Sequence, residues 1–206
     1  MVTNDSQVNS TFTVRKWRLG DQPEFLPTRH GFDQYFGIPY SNDMWPHHSY
    51  AGHYKNGCCP LPVLRDGKVV DMVEDMADQG ELCQRFTDEA VAFIRENRDR
   101  PFFVYLPYAF VHHPRSARDA FIKRAGPADA LDEKKMLGNP IGYATRQRTR
   151  AQIEEGDWSV GRILDALREL GIEKNTLVNK NWKPLNYGGA RNPMSRAWLM
   201  KGICDQ

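Results

Sequence analysis

The feature that most constrains this chain is a five-residue run, Phe102-Phe103-Val104-Tyr105-Leu106, set directly after Pro101 and between two amphipathic stretches. Apolar or aromatic at every position, it offers no polar side to water and predicts a strand buried on both faces. Ahead of it, Leu82, Phe86, Ala90, Phe93 and Ile94 recur at helical spacing, with Arg85, Asp88, Glu89, Arg95 and Glu96 opposite, which predicts a helix over 81–97. Beyond it, Ile153, Val160, Ile163, Leu164, Leu167 and Leu170 mark one face of a second helix and Arg162, Asp165 and Glu169 the other. Gly171 stands where a C-terminal cap belongs, and Thr176-Leu177-Val178 opens a further strand. Helix, strand, loop, helix, strand is the rhythm of an α/β fold with a mostly parallel sheet flanked by helices.

The 206 residues fit one ordinary domain or a piece of a larger one. From Lys16 to Pro62 the chain is rich in Gly, Pro, His and aromatics without sustained period, which predicts loops over the sheet. Within it HGFDQYFG, with Phe32 and Phe36 four apart, predicts one helical turn. In PLPVLRDGKVV the Asp66-Gly67 pair between apolar runs predicts a tight hairpin.

Several classes are disfavoured. Lys and Arg total 28 against 26 Asp and Glu, with no long run of one sign, so nucleic acid is not an expected partner. The longest apolar-looking stretch, Pro101 to Val111, is far short of the roughly 20 residues that span a bilayer, so no membrane span is expected. MVTNDSQVNSTFTVRK has no apolar core of the signal-peptide kind, which leaves the compartment open. The cysteines at 58, 59, 83 and 204 have no C-x-x-C spacing, and His47, His48, His53, Cys58 and Cys59 match no paired zinc pattern. No metal site is expected from them.

In α/β sheets the reactive crevice lies outside the carboxyl ends of the strands. The residues following Leu106 and Val178 are therefore the places to look: His112 and His113 in PFFVYLPYAFVHHP, and the segment from Lys180 to Lys183. An imidazole on such a loop can donate a proton near neutral pH, or it can merely hydrogen-bond its own loop. RKWRLGD sets Lys16 and Arg18 about Trp17, a cationic group suited to an oxyanion or to an exposed basic turn.

Taken in order, these segments resemble the sulfatases of the alkaline-phosphatase superfamily. RKWRLGD is similar to the signature G-K-W-H-L-G, and FLPTRHGFDQYFGIPYSNDM to the segment that follows it in arylsulfatases. PFFVYLPYAFVHHP, DWSVGRILDALRELGIEKNTLV and YGGARNP resemble the histidine loop, the long helix with its next strand, and Y-E-G-G-V-R-x-P. The likeness runs over most of residues 14 to 198, which would be a partial sulfatase catalytic domain between an unstructured 1–13 and a tail at 199–206. It implies a partial alkaline-phosphatase-like sandwich and hydrolysis of sulfate esters, of the arylsulfatase or sulfated-sugar kind.

By that resemblance Lys16 contacts sulfate and the nucleophile, Ser41 lines the same pocket, and His112 protonates the departing alcohol. Lys183 has the spacing of the second sulfate-binding lysine, and Arg18 stands in place of the signature histidine. Complete members use a formylglycine made from C/S-x-P-x-R, and a calcium ion held by Asp and Asn. No C-x-P-x-R or S-x-P-x-R occurs here, and Val178 passes to Asn179-Lys180-Asn181 where a D-N-G is expected. No cofactor is therefore expected in this chain, and the chain alone is expected to be inactive.

The resemblance implies a sulfated small molecule or glycan as partner, and a family whose members are usually exported. Two alternatives stand beside it: a non-catalytic homologue binding sulfated glycan or another oxyanion, and a phospho-ester hydrolase relative. A third is a gene remnant, whose half sheet would leave an unpaired edge and an exposed apolar face.

Overall fold

A computed structural model describes residues 10–17, 19–47, 60–127, 146–179 and 197–201. The strands are β1 (Ser10–Lys16), β2 (Gln34–Ile38), β3 (Leu61–Arg65), β4 (Lys68–Val73), β5 (Phe102–Leu106), β6 (Thr176–Asn179) and β7 (Ala197–Lys201); the helices are α1 (Met76–Glu96), α2 (Asp119–Arg124) and α3 (Arg146–Glu169). The strands form a single sheet in the order β4-β3-β2-β1-β5-β7-β6. At its centre β1 runs parallel to both β2 and β5, while the flanking pairs are antiparallel. The fold is thus α/β with a mixed sheet. Because β7 opposes both β5 and β6, those two run in the same direction and finish at the same end of the sheet.

The central strand begins at Ser10, inside the 1–13 stretch expected to be unstructured. Its alternation explains why: Phe12 and Val14 drop into the core beneath α1 while Thr11 and Thr13 take the other face. The turn expected in HGFDQYFG is instead β2, whose Phe12↔Gln34 to Lys16↔Ile38 register joins it to β1. Gly31 and Gly37 at φ of +88° and +150° are incompatible with a helix. Phe32 and Phe36 accordingly go to opposite faces, Phe36 to the main core and Phe32 to a smaller cluster with Trp17, Leu26, Tyr35 and Leu64.

The main core lies between the sheet and the helix pair. Phe12, Val14, Phe36, Ile38, Phe102, Val104 and Leu106 meet Leu82, Phe86, Ala90, Phe93 and Ile94 of α1 and Ile163, Ala166 and Leu167 of α3. Burying each such side chain is worth about 1.5–3 kcal/mol, so packing rather than helix propensity fixes α1. Its start is set by Asp75, which accepts from the Ala77 and Asp78 amides while Asp78 accepts from the Asp75 amide. That box moves the helix start ahead of the expected residue 81.

The hairpin forms as expected. Asp66 and Gly67 at φ of +49° and +85° join β3 to β4, and Val70 bulges out between the paired Val69 and Asp71. At the other end of the molecule α3 closes in the expected cap: Gly171, at φ +68°, donates to Arg168, and Ile172 donates to Leu167. Its second half buries the expected Ile163 and Leu167, but its first half does not face inward as expected. Ile153 is 40% exposed, while Gln152, Glu155, Gly156 and Ser159 are buried. The edge strands expose Val69, Val70 and Leu177. No helix among the described residues is long and apolar enough to cross a membrane.

Candidate functional site

Two loops leave the carboxyl ends of β2 and β5, the strands that flank β1 in parallel, and each carries an expected functional residue, Ser41 on the first and His112 on the second. Lys16 is the last residue of β1. Its Nζ donates to Ser41 Oγ at 3.2 Å and to Asn42 Oδ1 at 3.4 Å, so Lys16 and Ser41 are brought together. Asn42 is buried and passes the contact on: its Nδ2 donates to Gln79 Oε1 at 3.4 Å, and Gln79 Nε2 donates to the Asn42 carbonyl at 2.7 Å. This chain joins the end of β1 to the first turns of α1. The two acceptors, a hydroxyl oxygen and an amide oxygen, fix the direction of the ammonium at the end of β1.

Trp17, adjacent to Lys16, is a packing residue. It is buried among Leu26, Tyr35 and Leu64, and its indole N–H donates to the Phe25 carbonyl.

The second loop runs from Pro107 to Arg118 and carries His112 at its crown. His112 Nδ1 lies 2.9 Å from the His113 carbonyl oxygen. A carbonyl only accepts, so Nδ1 carries hydrogen and a second ring proton goes on Nε2. An Nε2–H that can be donated exists only while the ring carries both protons.

Both feet of the loop are tied down. Tyr108 hydroxyl hydrogen-bonds Ser159 Oγ of α3, which is 2.5 Å from Thr87 Oγ1 of α1; Thr87 in turn donates to the Cys83 carbonyl at 2.7 Å. Burial pushes the Tyr108 phenol well above its ordinary range and does the same to the Cys83 thiol. Ser116 Oγ donates to the Met76 carbonyl at 2.8 Å, and Arg115 donates to Thr149 Oγ1.

At the far foot the Arg118 amide and Nε donate to the two oxygens of Glu155 at 3.2 and 2.6 Å. The Arg118 guanidinium also donates to Gln84 and lies 4.2 Å over the Trp158 ring. Glu155 is 1% exposed. Burial raises its carboxyl above the ordinary range, opposed by its bonds to Arg118.

Between the two loops is a cavity of about 10 Å3, lined in part by Asn42, Gln79, Phe110, Pro114, Ser116 and Gln152, room for roughly one water. Gln152 Oε1 is buried with no hydrogen-bond partner among the described residues.

Arg18 and Lys183 lie outside the described residues, as do His48, His53, Cys58, Cys59 and the YGGARNP segment. His47 sits edge-on against Trp45, and among the described residues no group of three or more His, Cys, Asp and Glu could hold a metal. Calcium takes six to eight oxygen ligands, several of them carboxylates. Beside Lys16 the described residues offer the Ser41 hydroxyl and an Asn42 amide oxygen turned to the ammonium, which do not make such a cage. The sequence missed Asn42, Gln79, Arg118 and Glu155 as parts of the site. Their one advance signal is that Glu155 and Ser159 are polar at positions that helical spacing places together on α3.

A family model described as Sulfatase matches residues 6–179. The N-acetylgalactosamine-6-sulfatase of Mus musculus is 33% identical over 196 residues, covering 87% of this chain and 32% of that protein. Arylsulfatase G of Rattus norvegicus is 29% identical over 212 residues, covering 91% and 36%. Among solved structures the PsFucS1 sulfatase from Pseudoalteromonas sp. superposes with a TM-score of 0.61 at 17% identity, over 93% of this chain and 42% of that one. Ps i-CgsB in complex with k-i-k-neocarrahexaose gives 0.58 at 21%, over 98% and 46%. The chain thus spans about a third of the length of the curated relatives it matches. With the family match covering most of the chain, and Lys16 and the histidine loop leaving adjacent parallel strands, this chain belongs to the sulfatase family.

Proposed function

We propose that this chain binds sulfate esters, those of sulfated glycans included, through the anion half of a sulfatase site, and does not hydrolyse them on its own. Lys16 supplies the charge, Ser41 lines the same pocket, and His112 presents Nε2–H toward the ester oxygen. Arg18 and Lys183 add further cations. The observation that carries this reading is the pose of Lys16, an ammonium at the end of the central strand, oriented by Ser41 and Asn42. The inactivity follows from the missing C/S-x-P-x-R sequence: without an aldehyde hydrate nothing attacks sulfur.

A charge-assisted hydrogen bond is worth about 1.5–3 kcal/mol, so Lys16→Ala is expected to weaken binding of inorganic sulfate and of a 6-sulfated N-acetylgalactosamine by roughly 10- to 100-fold. Calorimetric titration measures it, with 4-nitrophenyl sulfate hydrolysis followed in parallel. Equal affinity in wild type and variant, or no saturable binding at all, overturns the binding assignment. Turnover above the buffer rate overturns the inactivity. Tighter binding of inorganic phosphate than of sulfate would favour the phospho-ester alternative.

A further inference from the structure

The first half of the inward face of α3 is polar where an apolar stripe is expected. Thr149, Glu155 and Ser159 reach the loop that carries His112 and His113, gripping Arg115, Arg118 and Tyr108 in turn. Gly156, on the same face, leaves room for the Phe110 ring, which a Cβ there would meet at 2.7 Å. Of these grips the one at Glu155 differs in kind. A buried carboxylate costs several kcal/mol unless it is fully bonded, and Glu155 bonds both the main-chain amide and the side-chain Nε of one residue. It therefore fixes loop backbone and not merely a side chain. Arg118 is further clamped between Gln84 of α1 and the Trp158 ring of α3.

We propose that Glu155 is a positioning residue, which through Arg118 sets the height and orientation of the loop crown and so the direction in which His112 presents Nε2. The role rests on the reading of His112 as the group facing a sulfate ester. The mechanism is mechanical: with Tyr108 held at one foot and Arg118 at the other, the crown has a fixed span, and the hydrogen bond from His112 Nδ1 to the His113 carbonyl then selects a single ring orientation. Releasing the Arg118 foot frees its main-chain amide and leaves that side of the loop to the side-chain bonds of Arg115 and Ser116, so that the span varies and the ring samples orientations with and without the Nδ1 bond.

The test is nuclear magnetic resonance of the full chain labelled with 15N at histidine, comparing wild type, Glu155→Gln and Arg118→Lys. An exposed pair on the same two helices, removed by Arg95→Ala, serves as a stability control. Wild type is expected to show one Nδ1–H pattern for His112, perturbed by added sodium sulfate. Glu155→Gln is expected to lose that single-tautomer pattern and the sulfate-induced shift while remaining folded by circular dichroism. Arg118→Lys carries the same expectation and replaces it should Glu155→Gln fail to fold. His112 signals in either folded variant that superimpose on wild type overturn the proposal, whatever the loss of stability. Absence of any sulfate effect in wild type, with the tautomer pattern still lost in the variant, leaves the positioning intact and overturns the anion-site reading instead.

Discussion

Two glycines make opposite predictions from the same substitution. In α1, a Cβ added to Gly80 would meet the Ala117 carbonyl oxygen at 2.9 Å, its carbon at 3.2 Å and Ser116 Oγ at 3.3 Å. In α3, a Cβ added to Gly161 meets nothing within 4 Å. Alanine in place of glycine within a helix gains about 0.8–1 kcal/mol, and Gly161→Ala should realise that gain. Gly80→Ala must set the same gain against overpacking of about 1–3 kcal/mol. The obstacle is backbone, and it cannot easily retreat, because Ser116 on one side is bonded to Met76 and Arg118 on the other to Glu155. A net loss of up to about 2 kcal/mol follows from that sum, and a separation between the two variants of about 1–3 kcal/mol, since the helix-propensity gain is common to both. Urea unfolding followed by circular dichroism resolves this readily, since such a gap moves the midpoint by on the order of 1 M. Gly80→Ala as stable as Gly161→Ala would mean that the histidine loop does not press on the first turns of α1.

Other perturbations are simpler to state. Replacing Asp75 with Ala removes the cap of α1 and should cost about 1 kcal/mol, seen as an earlier urea midpoint; an unchanged midpoint contradicts the capping box. Because burial raises the Glu155 carboxyl, its protonated form favours the fold. Its contribution is present in full below the ordinary carboxylate range and is lost as pH rises through the elevated value. Wild type measured against Glu155→Gln should therefore lose relative stability as pH rises out of the ordinary carboxylate range, and a difference that grows with pH there would refute the assignment.

Much of the scaffold was legible because its residues repeat with a period. Leu82, Phe86, Ala90, Phe93 and Ile94 announce α1, and all are buried. The run 102–106 becomes a strand flanked by β1 and β7. Asp66-Gly67 turns the hairpin for a purely local reason, the positive φ that both residues adopt. What local pattern could not supply was pairing at a distance. Helical spacing between Phe32 and Phe36 was outweighed by the parallel ladder to β1, a partner about twenty residues upstream. On α3 the assumption that buried means apolar failed at Ile153, because the facing surface is a loop with polar groups to satisfy rather than a sheet. Of the expected site residues, His112 was reached from strand topology, and Lys16 from its cationic neighbours and the family resemblance. Asn42, Gln79 and Glu155, which orient them, are recognisable only by what they touch.

The order in which the chain is made bears on that arrangement. Asn42 follows Lys16 by 26 residues and Gln79 follows Asn42 by 37, so the cationic corner can close while the ribosome is still adding the rest. The imidazole corner cannot: Tyr108 waits 51 residues for Ser159, and Arg118 waits 37 for Glu155. A nascent chain halted between residues 118 and 149 would have the partners of Lys16 in hand with the histidine loop still unmoored, and only synthesis of α3 would supply the partners of Tyr108 and Arg118.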